Sequence, residues 1–203
     1  MLVSVVIPTY NRLPILKKCL ASLENQILIG EIEDYEIVLV DDGSTDGTID
    51  WLKNNILTFP HLKIFEQTHG GPALGRNLGV EKSNGELIVF IDSDLVVEKY
   101  FLTNHVKSII RAWRKLGNRK CFTYGSVINT SNFINPNSEP FKLQDFSWAY
   151  FATGNVCIDK KVLEKSGLFD ASFRLYGWED LELGERLRNM GVKLIKCPKA
   201  IGY

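Results

Sequence analysis

Leu87-Ile88-Val89-Phe90-Ile91-Asp92-Ser93-Asp94 decides how this chain is read. Five consecutive apolar residues, preceded by Asn84-Gly85, predict a strand buried on both faces, as in a parallel sheet covered by helices. Two carboxylates one residue apart follow at its carboxyl end. In open α/β sheets that edge is where ligands bind. Hard carboxylate oxygens there suit Mg²⁺ or Mn²⁺ held against a diphosphate. Alone, Asp-x-Asp reads equally well as a polar turn opening a helix.

Upstream of it, the same grammar repeats. Val3-Ser4-Val5-Val6-Ile7 predicts a buried strand ended by Pro8, and Leu16, Cys19, Leu20 and Leu23 follow at helical spacing, with Pro14 tolerated in the first turn. Residues 36–40 predict a second strand, followed by a short helix carrying Ile49 and Leu52. Residues 62–65 predict a third, and Gly70-Gly71-Pro72 opens a helix to about residue 83. After Asp94, Phe101, Leu102, His105, Val106, Ile109, Ile110, Trp113 and Leu116 mark a long amphipathic helix ended by Gly117. Strand–helix alternation of this kind predicts a parallel sheet with helices on both faces.

The second half is less regular. Strands are predicted at 121–127, about 155–158 and 192–197, and helices near 160–166 and 178–190. Residues 129–146 have no period and are rich in Asn, Ser and Pro; so long a loop in a compact domain is usually functional or mobile.

At 203 residues the chain reads as one domain with a substantial core. Lys+Arg and Asp+Glu balance at 24 each, so no global charge attracts nucleic acid or an anionic membrane. Cys19, Cys121, Cys157 and Cys197 form no metal-ligand spacing and read as buried thiols in a reducing compartment. No apolar stretch is long enough to span a membrane, and the chain opens directly on a strand, so the expected location is cytoplasmic.

Polar groups follow each of the first four strands: Pro8-Thr9-Tyr10-Asn11-Arg12, Asp41-Asp42-Gly43-Ser44, His69-Gly70-Gly71 and Asp92-Ser93-Asp94. With the surrounding motifs Val5-Val6-Ile7, Val40, Thr45-Asp46, Pro72-Ala73-Leu74-Gly75-Arg76-Asn77 and Gly177-Trp178-Glu179-Asp180, the chain closely resembles family 2 of the GT-A-fold glycosyltransferases. The resemblance covers essentially the whole chain. It implies an α/β GT-A fold over 1–203: a Rossmann-like nucleotide-binding half (1–95) with a mixed central sheet and helices on both faces, then an acceptor and catalytic-base half (96–203).

Roles follow from the resemblance, residue by residue. Pro8, Thr9, Tyr10 and Arg12 would surround the nucleotide, and Asp41 would accept from the uracil N3–H, with Asp42 and Ser44 serving the turn. The bland reading of that motif is an Asx turn alone. His69 and Gly71 would approach the base or ribose, although the family usually has Asn at 69 and Ala at 75. Arg76, on the second turn of its helix, would contact phosphate or brace the Asp-x-Asp; otherwise it is a surface arginine. Asp92 and Ser93 would meet the ribose, and Asp94, with Asp92, a Mn²⁺ or Mg²⁺ ion that neutralises the departing UDP.

In the resemblance Asp180 is the general base of an inverting transfer, with Glu179 beside it. Helical phase does not choose between the two, because they flank the Leu183, Leu187, Met190 stripe from opposite sides. Two acids at a helix N-terminus are also a common stabilising arrangement. Tyr176 and Trp178 would stack on a sugar or else pack in the core, Asn155 would touch the donor sugar, and 129–146, with Phe141, Phe146 and Trp148, would form an acceptor-side lid. His105 reads as a packing residue.

Many relatives add a metal-ligating histidine beyond the last strand, and the sequence given stops at Tyr203 without one, so a further C-terminal segment is expected. Membrane association would need such a segment. The implied donor is a UDP-sugar and the acceptor a carbohydrate, lipid or other hydroxyl, with no nucleic-acid partner. A sugar nucleotidyltransferase would instead carry a basic, glycine-rich loop after the first strand. A non-catalytic sugar-nucleotide-binding module would not need both acid pairs.

Overall fold

The predicted runs at 3–7, 36–40 and 87–91 become strands buried by their neighbours, while 62–65 becomes a strand that is only partly covered. In the computed structural model, which describes residues 1–133, 149–173 and 178–203, β1 (Leu2–Thr9), β2 (Asp34–Asp41), β3 (Leu62–Glu66) and β4 (Leu87–Ile91) lie parallel. Every residue of β4 is fully buried. Between them run α1 (Leu13–Glu24), α2 (Thr48–Asn55), a single 3₁₀ turn at 56–58 and α3 (Pro72–Lys82). After β4 come α4 (Phe101–Leu116), β5 (Cys121–Val127), β6 (Asn155–Asp159), α5 (Lys160–Lys165), α6 (Trp178–Asn189) and β7 (Lys193–Gly202).

The sheet order is β3-β2-β1-β4-β6-β5-β7. β6 runs antiparallel to both β4 and β5, and β7 is parallel to β5, so the sheet is mixed. Leu16, Leu20, Leu52, Val106 and Ile109 pack on one face; Ala73, Val80, Leu163, Leu183 and Leu187 pack on the other. Burial of each such leucine, isoleucine or valine side chain contributes about 1.5–3 kcal/mol. The four cysteines are buried and free. Among the described residues no helix is long and apolar enough to cross a membrane.

This order creates a switch point. The chain leaves β1 toward β2 on one side and returns to β4 on the other, so the loops after β1 and β4 part and leave a crevice at their carboxyl ends.

Two boundaries differ from expectation. Pro8 does not end β1: Pro8 and Thr9 stay in register with Val40 and Asp41 of β2. The Thr9 carbonyl accepts from Asp42 N on the β2 side, so Pro8's missing N–H faces β4, whose pairing has already stopped at Val6↔Phe90. β7 likewise runs past 197 to Gly202, because it is an edge strand where Pro198 breaks no second ladder. Pairing with β5 resumes at Ser126↔Ile201 after a register shift.

Candidate active site

The loop after β1 is fastened to the loop after β2. Asn11, at φ 51°, donates its N–H to Ser44 Oγ (2.9 Å) and accepts from Thr45 N–H at Oδ1 (2.7 Å). Asp46 accepts from Leu13 N–H at the start of α1 (3.0 Å) and from Thr48 Oγ1 (2.6 Å). These bonds aim Tyr10 and Arg12 across the crevice.

Asp41 and Asp42 leave β2 on opposite sides, as adjacent strand residues must. Asp41 Oδ1 accepts from Gly43 and Ser44 N–H (3.1 and 2.8 Å), while its buried Oδ2 has no hydrogen-bond partner. Asp42, rather than Asp41, lines the cavity. Asp41 thus serves the turn through Oδ1, and Asp42 meets the cavity. Asp42 accepts from Gln67 Nε2 (2.7 Å), Gly70 N–H (2.9 Å) and Gly71 N–H (2.9 Å), and His69 Nδ1 lies 2.9 Å from Oδ2. His69 also stacks on Tyr10, ring centroids 4.1 Å apart.

Pro8, Thr9, Tyr10, Arg12, Asp42, His69, Gly71, Arg76, Asp92, Ser93 and Asp94 all border one cavity of about 740 Å³. Loops after four different strands thus meet at the predicted edge. Gly75 lets α3 come this close: a Cβ there would lie 3.2 Å from that of Pro8.

Arg76 is the centre of the site's electrostatics. Its side chain is 2 % exposed, so it is no surface arginine. NH2 reaches Asp92 Oδ1 (3.1 Å), and NH1 reaches Glu179 Oε1 (2.9 Å) and lies 3.7 Å from Asp180 Oδ1. The three carboxylates hold the guanidinium's pKa above its ordinary value despite burial. Glu179 is buried with Arg76. Asp180 accepts from Thr153 N–H (2.9 Å) and Thr153 Oγ1 (2.8 Å). Burial pushes the Asp180 carboxyl up to about 6; Arg76 and the Thr153 bonds pull the other way, and Glu179 adds to the rise. A carboxyl in that range can exchange a proton near neutral pH.

Asp92 and Asp94 are 30 % and 46 % exposed at the cavity wall, and Asp94 Oδ2 meets Arg12 NH1 at 2.9 Å. Among the described residues no third His, Cys, Asp or Glu joins them in a metal-holding cluster. Two hard carboxylates still fit Mg²⁺ or Mn²⁺, which commonly take one or two such ligands and complete their shell with substrate phosphate and water. The Arg12 pair is solvent-exposed and therefore weak enough to open.

Asn155 does not face the cavity. It is fully buried, donating Nδ2 to Ser126 O (3.1 Å) and Ala200 O (3.0 Å). Its Oδ1 must then accept from His105 Nε2–H (2.8 Å), which leaves His105 Nδ1 to accept from Thr123 Oγ1 (2.8 Å). Every polar atom of the Asn155 side chain is thus engaged in the core. His105 is a packing residue as expected, its pKa pushed down to about 4 by burial.

Trp178 is 60 % exposed at the start of α6. Tyr176, Gly177, Phe141, Phe146 and Trp148 lie outside the described residues, as does most of 129–146. The residue that sequence reasoning missed is Thr153, which carries no motif of its own.

The family description Glycosyl transferase family 2 matches residues 4–167. The chain is 25 % identical over 241 residues to the uncharacterized glycosyltransferase YfnE of Bacillus subtilis (strain 168), covering 93 % of this chain and 61 % of the relative. Its fold matches S. aureus TarS 1-349 in complex with UDP (TM-score 0.69, 20 % identity, 92 % of this chain and 55 % of the other). It also matches the mannosyltransferase PcManGT of Pyrobaculum calidifontis in complex with GDP-Man and Mn²⁺ (TM-score 0.69, 24 % identity, 98 % and 55 %). The chain therefore spans less than two thirds of each of these proteins. Its mixed sheet with helices on both faces is theirs.

Proposed function

Because the chain belongs to glycosyl transferase family 2, we propose that it moves a sugar from a UDP-sugar to a hydroxyl acceptor with inversion, using Asp180 as general base. One observation carries the reading. Loops after β1 to β4 border a single cavity, and Arg76 on its wall bonds both Asp92 and Glu179, next to Asp180.

The base of the nucleotide lies against Tyr10 and His69. Of the four donors on Asp42, His69 is the exposed one, so a ligand N–H can take its place without loosening the loop. Arg12 leaves Asp94 for the diphosphate. Asp92 and Asp94 would hold a divalent cation, which neutralises negative charge on the departing UDP as a Lewis acid. Asp180 takes the acceptor hydroxyl's proton while that oxygen attacks the anomeric carbon. The new C–O bond forms opposite the breaking bond to the diphosphate, and UDP leaves as an anion.

The acceptor is a carbohydrate, lipid or other hydroxyl compound, and the enzyme is read as cytoplasmic, where its four thiols stay reduced. The UDP complex of one structural neighbour supports the UDP donor, and the GDP-Man complex of another supports a nucleotide-sugar donor in general. The test is a screen of UDP-, GDP- and dTDP-sugars for slow hydrolysis with Mn²⁺, with Mg²⁺ and with EDTA. UDP release that needs metal is the expected result. Pyrophosphate made from a nucleoside triphosphate, or binding with no turnover, would overturn the reading.

A further inference from the structure

The Thr153-Gly154-Asn155 run at the entrance to β6 touches two groups that the proposed reaction needs held still, and is itself anchored in the core. Thr153 gives both its N–H and its hydroxyl to the Asp180 carboxylate. Gly154 lies so close to Asp92 that an added Cβ would sit 3.3 Å from Oδ2. Asn155 fills the space opened by Gly125 at the β5 register shift, fixing the entrance from below. Independently, Gly184, one turn after Asp180 on the same helix face, brings α6 against Tyr150 and Phe151: an added Cβ would be 3.0 Å from Phe151 N. Helix and strand entrance are therefore locked at hydrogen-bonding distance.

We propose that Thr153 is a positioning residue for the general base, its hydroxyl and N–H fixing the Asp180 carboxylate on one side while Arg76 stands on the other. The inference rests on Asp180 being the base. Thr153 is 1 % exposed, so water has little room to replace a deleted hydroxyl. The charged groups facing Asp180 are Arg76 from α3 and Glu179 from its own helix, with Asp92 behind Arg76. A hydroxyl bond to a carboxylate favours the ionised form, so losing it both frees the rotamer and makes the carboxyl harder to ionise.

The experiment compares wild type, Thr153→Val, Thr153→Ala, Thr153→Ser and Asp180→Asn. The readout is UDP release from UDP-glucose, UDP-galactose or UDP-N-acetylglucosamine, whichever turns over fastest with Mn²⁺, from pH 5 to 8. UDP affinity is measured by calorimetry to confirm an intact nucleotide site. Thr153→Val and Thr153→Ala are expected to lower kcat about tenfold, to leave donor KM and UDP affinity unchanged, and to move the acid limb up by about one pH unit. Thr153→Ser restores both rate and limb. A Val or Ala variant with an unmoved pH profile, or a loss that appears only in KM, overturns the positioning role. Asp180→Asn separates the two ideas: wild-type turnover in that variant removes the base itself, whereas a dead Asp180→Asn beside a normal Thr153→Val removes only this inference.

Discussion

Arg76, Asp180 and His105 each illustrate how burial turns an ordinary side chain into a committed one. Arg76 neutralises acids from α6 and from the β4 loop together. Arg76→Ala takes the guanidinium from beside the buried Glu179 and is expected to cost about 3 kcal/mol or more in chemical denaturation. As the proposed general base, Asp180 must be ionised to act. With its carboxyl at about 6, turnover is expected to rise with pH through that value, and a flat profile from pH 5 to 8 would contradict the role. His105 stays neutral in the fold down to about pH 4, while the unfolded chain takes up a proton near 6.5. The unfolded state therefore binds more protons in that window, and stability falls as pH drops through it. Asp180 works oppositely, since its raised carboxyl favours the folded state as pH falls through about 6. The clean observable is a difference: the slope of stability against pH between 4 and 6.5 is expected to be smaller in His105→Gln than in wild type.

At the scale of elements, the parallel strands were legible because both faces of β1, β2 and β4 are covered, which writes continuous apolar runs into the sequence. The Asp-x-Asp was legible for a related reason: it follows the most uniformly buried of those strands. What the sequence hid depends on contacts made across the chain. Which of Asp41 and Asp42 looks into the cleft turns on where β2 stops. The partners of Asn155 lie 29, 45 and 50 residues away, so its amide reads as a surface group until the fold closes round it. The β5 shift was equally hidden, because Gly125 matters through its contacts with Asn155 and Ala200, both far away in sequence. Gly125→Ala would drive a methyl into the Asn155 amide and to 2.5 Å from the Ala200 carbonyl oxygen. A loss of about 2 kcal/mol, seen as a lower urea midpoint with unchanged m, is the expected consequence.

Across the whole molecule, one sheet carries both halves of the proposed reaction. On that proposal the crevice between β1 and β4 receives the nucleotide, and the antiparallel β6, next to β4, brings Thr153 and Gly154 to the acids on either side. A chain of balanced charge has no general attraction for polyanions, so in the proposed function the approach of a diphosphate rests on the local set of Arg12, Arg76, Asp92 and Asp94. The most direct test is turnover of a UDP-sugar by Asp180→Asn, with UDP affinity measured on the same sample. Turnover at least a thousandfold lower, a loss on the order of 4 kcal/mol in transition-state stabilisation, with UDP affinity held is the predicted result. Wild-type turnover by that variant, or UDP that fails to bind the wild-type protein, would contradict it.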